Sequence, residues 1–104
     1  MVRRDISKIK ESDLKSQIKD YLLVKGIFSY HIHQSLGSYA GLPDRVIHFK
    51  GKVVYLEIKL PTGKMSEGQL AFRGQCEVDG IKYRVIRSLE DLQGIIDIPQ
   101  IREI

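Results

Sequence analysis

Hydrophobic residues along the chain follow two periods, one typical of helices and one typical of strands. Near the start, Leu14, Ile18 and Leu22 have the spacing of a single helix face, which predicts a helix over residues 11–25. Gly26 is a suitable residue to end it. Two later segments combine a serine cap with a terminating glycine or proline, which predicts two further helices: Ser66 to about Asp79 with Gly80 as the stop, and Ser88 until Pro99.

Four other segments have the alternation, or the short continuous apolar run, of a strand. They are enriched in β-branched and aromatic residues and occupy residues 27–34, 45–49, 53–60 and 81–87. The third of them begins apolar on both faces, as expected for a central strand that is covered on both sides. A loop of small residues, 35–42, separates the first two strands. The predicted order of elements is therefore α-β-β-β-α-β-α.

The order of elements limits how the strands can pair. The first three strands are joined by short connections, which predicts antiparallel pairing. The third and fourth strands flank the second helix, so they can pair in parallel through a right-handed crossover. We therefore expect an α/β fold with a mixed central sheet flanked by helices. With 104 residues and no visible repeat or linker, we expect a single domain, 1–104, whose core spans about residues 10–96.

The composition is that of an ordinary globular protein, with 42% hydrophobic and 29% charged residues. No apolar run has the length of a membrane-spanning helix, and the N-terminal residues lack the apolar segment of a secretory signal. The single cysteine, Cys76, excludes an internal disulfide and a cysteine-based zinc cluster, and it favours a reducing, cytoplasmic setting. Seventeen Lys and Arg against 13 Asp and Glu give a net charge of +4, a mild bias toward polyanionic partners.

Charged residues interrupt the predicted sheet at the second and third strands. Asp44 precedes the second strand, and Glu57 and Lys59 lie near the end of the third. If Lys50 and Gly51 form a two-residue hairpin loop, Asp44 is the cross-strand partner of Glu57, whereas a three-residue loop would separate them. Facing carboxylates with Cβ atoms roughly 4.5–5.5 Å apart would repel each other, and a bound cation removes that conflict. Lys59 follows Glu57 by two residues and is expected on the same face.

Two further polar residues are candidates for the same site. Glu11 continues the apolar face of the first helix, which would direct its carboxylate toward the sheet. The alternative is that Glu11 only complements the positive end of the helix dipole. Gln69 follows Ser66 by three residues and fits a capping box, or it could help to hold a water or a phosphate near the site. The sequence leaves these alternatives open.

Four motifs carry a resemblance to a known family, in that family's order: Glu11-Ser12-Asp13-Leu14, Gly41-Leu42-Pro43-Asp44-Arg45, Glu57-Ile58-Lys59 and Ser66-Glu67-Gly68-Gln69. At these residues the chain resembles the VRR-NUC branch of the PD-(D/E)XK nuclease superfamily, with Pro43-Asp44 matching PD and Glu57-Ile58-Lys59 matching ExK. The likeness runs from about residue 10 to residue 92. It implies a restriction-endonuclease-like αβββαβ core, which agrees with the predicted order. Gly68 departs from the pattern, since a bulkier residue would be typical there.

The resemblance also implies an activity, the hydrolysis of phosphodiester bonds with Mg²⁺ or Mn²⁺. The implied metal ligands are two carboxylates and one main-chain carbonyl, those of Asp44, Glu57 and Ile58, and hard oxygen ligands suit these ions. A water made more acidic by the metal would attack the scissile phosphorus. Lys59 would position that water or offset charge in the transition state. Glu11 could bind a second cation, and Gln69 would support the site from its outer shell.

Relatives that consist of one small domain look like dimeric, structure-selective DNA endonucleases, some of which cut four-way (Holliday) junctions. A C2 dimer would supply the two active sites that cutting opposed strands needs. The resemblance therefore implies a homodimer acting on branched DNA in a bacterial or phage-infected cell, in repair or recombination. The surfaces expected to form the dimer are residues 98–104 and the face with Phe28, Tyr30 and Ile32. The candidates for contacts to DNA phosphates are Lys8, Lys10, Lys64 and Arg73, and the simpler alternative for each single lysine is a solvated basic surface.

Other functions are compatible with the same residues. The chain could be a non-catalytic nucleic-acid-binding or complex-assembly module that retains a nuclease fold, or a nuclease for single strands or RNA. His31 and His33 share a strand face and could bind a metal or a phosphate, but a solvated surface pair is the simpler interpretation.

Overall fold

The computed structural model describes residues 9–97 and has the predicted order of elements. Three helices and four strands are present in this part of the chain: α1 Glu11–Val24, β1 Ser29–His31, β2 Arg45–Phe49, β3 Lys52–Ile58, α2 Glu67–Asp79, β4 Lys82–Ile86 and α3 Leu89–Ile96. The first two helices end just before the predicted Gly26 and Gly80. Pro99, which was expected to end α3, lies outside the described residues. None of the helices within 9–97 combines the length and the apolar character that crossing a bilayer requires.

The four strands form one mixed sheet in the order β1-β2-β3-β4. The first three are antiparallel, and β4 is parallel to β3, as predicted from the position of α2 between them. The ladder between β2 and β3 runs from the pair Phe49–Lys52 to the pair Arg45–Leu56, which is the register of a two-residue loop. Lys50 and Gly51 both have positive φ, 53° and 78°, as a type I′ hairpin turn requires.

Two strands are shorter or shifted relative to the prediction. β1 covers Ser29–His31 instead of residues 27–34. It is an edge strand, and its regular pairing with β2 covers these three residues. The N–H of Ile32 still donates to the carbonyl oxygen of Asp44, and the N–H of His48 to that of Phe28, both at 2.9 Å. β3 ends at Ile58 instead of residue 60, although the N–H of Lys59 still donates to the carbonyl oxygen of Ile86 at 3.0 Å.

The hydrophobic core lies on one face of the sheet, beneath α1 and α3. Its buried members from the helices and from the sheet pack in a single cluster: Leu14, Ile18, Leu22, Leu92 and Ile96 with Ile47, Val54, Leu56, Ile58 and Ile86. The helical members recur every three or four residues, so each helix presents one stripe to the sheet. This cluster holds α1 against the end of β3, next to the predicted site.

The opposite face of the sheet is partly covered by α2. Successive side chains of a strand point to opposite faces, so Tyr55 and Glu57 lie on the other side from Leu56. The ring of Phe72 in α2 contacts Tyr55 and Tyr83, with centroids 5.3 and 6.0 Å apart. Glu57 therefore lies between the sheet and α2, although both of its chain neighbours belong to the core beneath α1.

Candidate active site

Asp44 lies immediately before β2, where the regular pairing with β3 ends. Its N–H donates to the carbonyl oxygen of Leu56 at 3.0 Å, one residue out of step with the ladder that pairs Arg45 with Leu56. Such a departure is a β-bulge, which redirects side chains at the end of a strand. Asp44 is therefore not the ladder partner of Glu57 that the sequence predicted. Instead, its Oδ2 accepts a hydrogen bond from the N–H of Ile58 at 2.8 Å.

Glu57 is buried, with only 2% of its surface exposed. Its Oε2 accepts a hydrogen bond from Gln69 Nε2 at 2.9 Å, whereas its Oε1 has no hydrogen-bond partner among residues 9–97. Burial, and then the nearby negative charge of Asp44, raise the pKa of Glu57 to about 8. The bulge has changed the pairing of the two carboxylates, but they still come together at the end of β3.

Gln69, in the first turn of α2, makes contacts in two directions. Its main-chain N–H donates to Ser66 Oγ at 3.1 Å, and its side-chain Oε1 accepts from the N–H of Ser66 at 2.8 Å. These two bonds form the capping box. Its Nε2 remains free to donate to Glu57, as described above. The capping box expected from the sequence is therefore present, and the same side chain also contacts Glu57.

Lys15 was not predicted as a site residue, yet it joins two residues that were. Its Nζ lies 3.0 Å from Asp44 Oδ1 and 3.1 Å from Glu11 Oε2. Partial burial lowers the pKa of Lys15, but the hydrogen bonds and charges of Asp44 and Glu11 outweigh that effect and hold the pKa above its ordinary value. Glu11 therefore reaches the site through Lys15. The signal in the sequence was the spacing of Glu11 and Lys15 by four residues on one helix face.

Lys59 follows β3 and is half-buried. Its positive charge acts on Glu57 and opposes the rise in the pKa of that carboxyl. No salt bridge to Lys59 occurs among residues 9–97. Arg87 fixes the segment that follows, since its guanidinium donates to the carbonyl oxygens of Leu60 and Gly63 at 2.8 and 2.7 Å. Lys59 thus precedes an anchored segment, and its ammonium forms no ion pair within the described residues.

The loop before Asp44 rests directly on the first turn of α2. A Cβ added to Gly68 would lie 2.5 Å from the carbonyl oxygen of Ala40, and one added to Gly41 would lie 2.3 Å from the carbonyl carbon of Gly68. Gly41 also has a φ of +102°, which side chains other than hydrogen rarely tolerate. The absence of a bulkier residue at position 68 therefore has a structural reason. The close approach holds the loop with Asp44 next to the helix with Gln69.

The donor set at this point fits a hard divalent cation. Within the described part of the chain, Glu57 Oε1 is a buried acceptor without a partner, and the Asp44 carboxylate adds a second negative charge nearby. Residues 9–97 contain no cluster of three His, Cys, Asp or Glu side chains that could hold a metal ion. The side-chain ligands for an ion at this site would therefore be the two carboxylates of Asp44 and Glu57. Mg²⁺ is commonly held by one or two carboxylates and keeps several waters. The main-chain carbonyl of Ile58 is the further protein ligand that the sequence predicted.

The residues predicted to contact nucleic acid are dispersed. Lys10 and Lys64 are exposed, Arg73 is half-buried on α2, and Lys8 lies outside the described residues. A cavity of about 260 Å³ between α2 and β4 is lined by three cationic side chains, those of Arg73, Lys82 and Arg84. The buried hydroxyl of Tyr83, which also lines it, has no hydrogen-bond partner within residues 9–97. Only Arg73 of these three was predicted.

The surfaces expected to form a dimer are only partly described. Phe28 is 61% exposed and Tyr30 is 46% exposed, and their rings pack on each other and on His48 at the β1 side of the sheet. Residues 98–104 lie outside the described part of the chain. The rings of His31 and His33 are in contact, with centroids 6.1 Å apart.

Comparisons with known proteins concern the fold. No family model matches the chain, and no curated protein matches it. A solved structure described as a VRR_NUC domain matches with a TM-score of 0.71, covering 86% of this chain and 96% of that chain, at 19% sequence identity. It shares the small α/β architecture with a mixed sheet and flanking helices. This chain therefore has the fold of a VRR-NUC domain.

Proposed function

We propose that this protein is a metal-dependent endonuclease that hydrolyses phosphodiester bonds in DNA. The observation that carries the proposal is the position of Asp44, bonded to the N–H of Ile58, next to the buried Glu57, whose Oε1 has no hydrogen-bond partner among residues 9–97. Keeping such a group buried is costly unless a ligand compensates it. Within residues 9–97, Tyr55 and Tyr83 on the same face of the sheet pack against the ring of Phe72, so the neighbouring packing is largely aromatic. A function that uses the carboxylate is the simpler explanation.

Asp44, Glu57 and the carbonyl of Ile58 would hold the ion, Mg²⁺ or Mn²⁺. When bound, such an ion supplies Lewis acidity at the phosphoryl oxygen and makes a water easier to deprotonate. The chain's own contribution is to orient the ligands: the N–H of Ile58 fixes Asp44 Oδ2, and Gln69 fixes Glu57 Oε2. Contacts of this kind, one shell outside a metal, commonly determine how well the ligands bind it.

Lys59 would act on the phosphate. Its positive charge acts on Glu57, and its ammonium is not engaged in an ion pair among residues 9–97. A cation placed next to the scissile phosphate stabilises the negative charge that grows on its oxygens in the transition state. Holding Lys59 next to an anchored segment is useful because a preorganised charge needs no rearrangement during the reaction.

The DNA substrate is proposed to be branched, and the enzyme to be a homodimer. A chain of this size that reads DNA through its backbone would rely on shape and phosphate contacts. The cations around the cavity between α2 and β4, together with Lys10 and Lys64, are suited to phosphates. The exposed rings of Phe28 and Tyr30 offer an apolar surface for a second copy of the chain. Two active sites related by a twofold axis would suit the opposed strands of a four-way junction.

A panel of substrates tests the proposal directly. Cleavage of single-stranded, duplex, flapped and four-way DNA is compared in Mg²⁺, Mn²⁺ and EDTA. We expect Mg²⁺-dependent cleavage that Asp44→Asn and Lys59→Met each reduce at least 10²-fold. Asp20→Asn and Lys52→Met, at exposed positions, are the matched controls and should keep full activity.

The same panel defines the outcomes against the proposal. Circular dichroism establishes that each variant is folded. Undiminished Mg²⁺-dependent activity in both site variants would exclude this site. No cleavage of any substrate, combined with metal-independent DNA binding, would instead favour a non-catalytic module that retains the fold. Sedimentation showing only an 11.9 kDa particle during junction cleavage would exclude the dimer.

A further inference from the structure

Lys15 places a positive charge at the Asp44 oxygen that does not bond to the N–H of Ile58. Asp44 Oδ2 accepts the hydrogen bond from the N–H of Ile58 at 2.8 Å, which leaves Oδ1 for other partners. Lys15 Nζ lies 3.0 Å from Oδ1 and at the same time 3.1 Å from Glu11 Oε2. The ammonium therefore lies between two carboxylates that belong to different elements, α1 and the start of β2.

A divalent ion that binds Asp44 through Oδ1 would approach this same position. A metal ligand donates through an oxygen lone pair, and Oδ1 is the oxygen not committed to the main chain. Two cations that share one carboxylate oxygen repel each other strongly when they are partly shielded from water. The Lys15 ammonium and the ion therefore compete for Asp44.

We propose that Lys15 is a built-in competitor of the metal, which neutralises Asp44 and Glu11 in the metal-free protein and is displaced from Asp44 when the ion binds. The inference rests on the proposed function, because it assigns a role toward the same site. It follows that Lys15 sets the metal affinity: the ion must break the Lys15–Asp44 contact before it binds. It also follows that Glu11 retains Lys15 as its partner after displacement, since their spacing of four residues keeps them adjacent on α1.

Calorimetry of Mg²⁺ binding without DNA tests the competition. Lys15→Met removes the competing charge and is expected to bind Mg²⁺ on the order of tenfold more tightly than the wild-type protein. Lys15→Arg restores a cation and should return the affinity to within about twofold of wild type. Lys19→Met is the matched control, because Lys19 lies one turn along the same helix, is exposed and has the same charge. It should leave the affinity unchanged.

A second measurement uses the wild-type protein, so it does not depend on the folding of a variant. The side-chain NMR signals of Lys15 Nζ and Cε are followed during titration with Mg²⁺, and we expect them to move in step with metal binding. Equal or weaker affinity in Lys15→Met, or Lys15 signals that stay fixed at saturating Mg²⁺, would overturn the inference while leaving the proposed function intact. Absence of Mg²⁺ binding in both wild type and Lys15→Met would overturn both.

Discussion

Gln69 donates a hydrogen bond from the first turn of α2 to the buried carboxylate of Glu57, with Nε2 and Oε2 2.9 Å apart. The same side chain accepts from the N–H of Ser66 and so closes the cap of its own helix. The orientation of Glu57 therefore depends on how α2 begins. This link gives α2 a role in the site in addition to covering the sheet.

Replacing Gln69 by Ala should have two separable effects. It removes the reciprocal cap and leaves Glu57 Oε2 without a donor, which should lower the free energy of unfolding by about 1–3 kcal/mol. It should also weaken Mg²⁺ binding about tenfold, because an outer-shell contact is lost. Ser66→Ala is the control, since it removes the Oγ acceptor of the cap but leaves the bond to Glu57. Urea unfolding and calorimetry measure the two effects, and equal losses of Mg²⁺ affinity in both variants would contradict this role of Gln69.

The stability of the metal-free protein should fall as pH rises from about 5 to about 8. In the folded protein the pKa of Glu57 is raised to about 8 from an ordinary value of 4.5, so in this interval the folded state binds more protons than the unfolded state. By linkage, the contribution of Glu57 to stability is complete at low pH and is lost as pH rises through the folded pKa. Glu57→Gln cannot titrate and should show a flatter dependence.

Urea titrations in EDTA at several pH values, on wild type and on Glu57→Gln, measure this dependence. Other titrating groups contribute equally to both proteins, so the difference between the two curves isolates Glu57. A difference that stays constant across the interval would show that the folded pKa of Glu57 is ordinary. Addition of Mg²⁺ at neutral pH should release protons from the wild-type protein, because the ion binds the carboxylate form.

Gly68→Ala should destabilise the protein even though alanine is the better helix former. The added Cβ would lie 2.5 Å from the carbonyl oxygen of Ala40, so the loop before Asp44 must move. Overpacking of this kind typically costs about 1–3 kcal/mol, and here it should also reduce Mg²⁺ affinity through the displacement of Asp44. Gly74→Ala, on the same helix, meets no atom within 4 Å and should be neutral or stabilising by up to about 1 kcal/mol. Unfolding midpoints for both variants decide the matter, and a neutral Gly68→Ala would disprove the constraint.

Much of the fold could be predicted because its signals are local. The spacing of Leu14, Ile18 and Leu22 involves residues of one helix and predicts which face of it is buried. The serine caps and terminal glycines indicate where helices begin and end. The hairpin at Lys50 and Gly51 fixed the register between β2 and β3, because a short turn leaves few ways to pair the strands that it joins.

The parts of the site that could not be predicted depend on contacts between distant segments. The bulge that turns Asp44 toward Ile58 has no marker in the residues around it. Lys15 reaches Asp44 because the core packs α1 against the end of β3. The distance between these two elements cannot be predicted from a sequence pattern. Gln69 both caps α2 and contacts Glu57 because its side chain spans the separation between α2 and the sheet. The glycine at position 68 is explained by the loop at Ala40, which packs too close to it for a side chain.

The alternation of β3 makes its length as important as its composition. Between the turn and Lys59, consecutive residues serve opposite layers, with Leu56 and Ile58 beneath α1 and Glu57 beneath α2. Inserting or deleting one residue after Val54 would exchange these destinations, so that the acid would enter the apolar layer and an aliphatic side chain would meet Gln69. We therefore expect relatives with the same chemistry to exchange one apolar side chain for another in this strand. The number of residues between the turn and the residue that corresponds to Glu57 should stay constant.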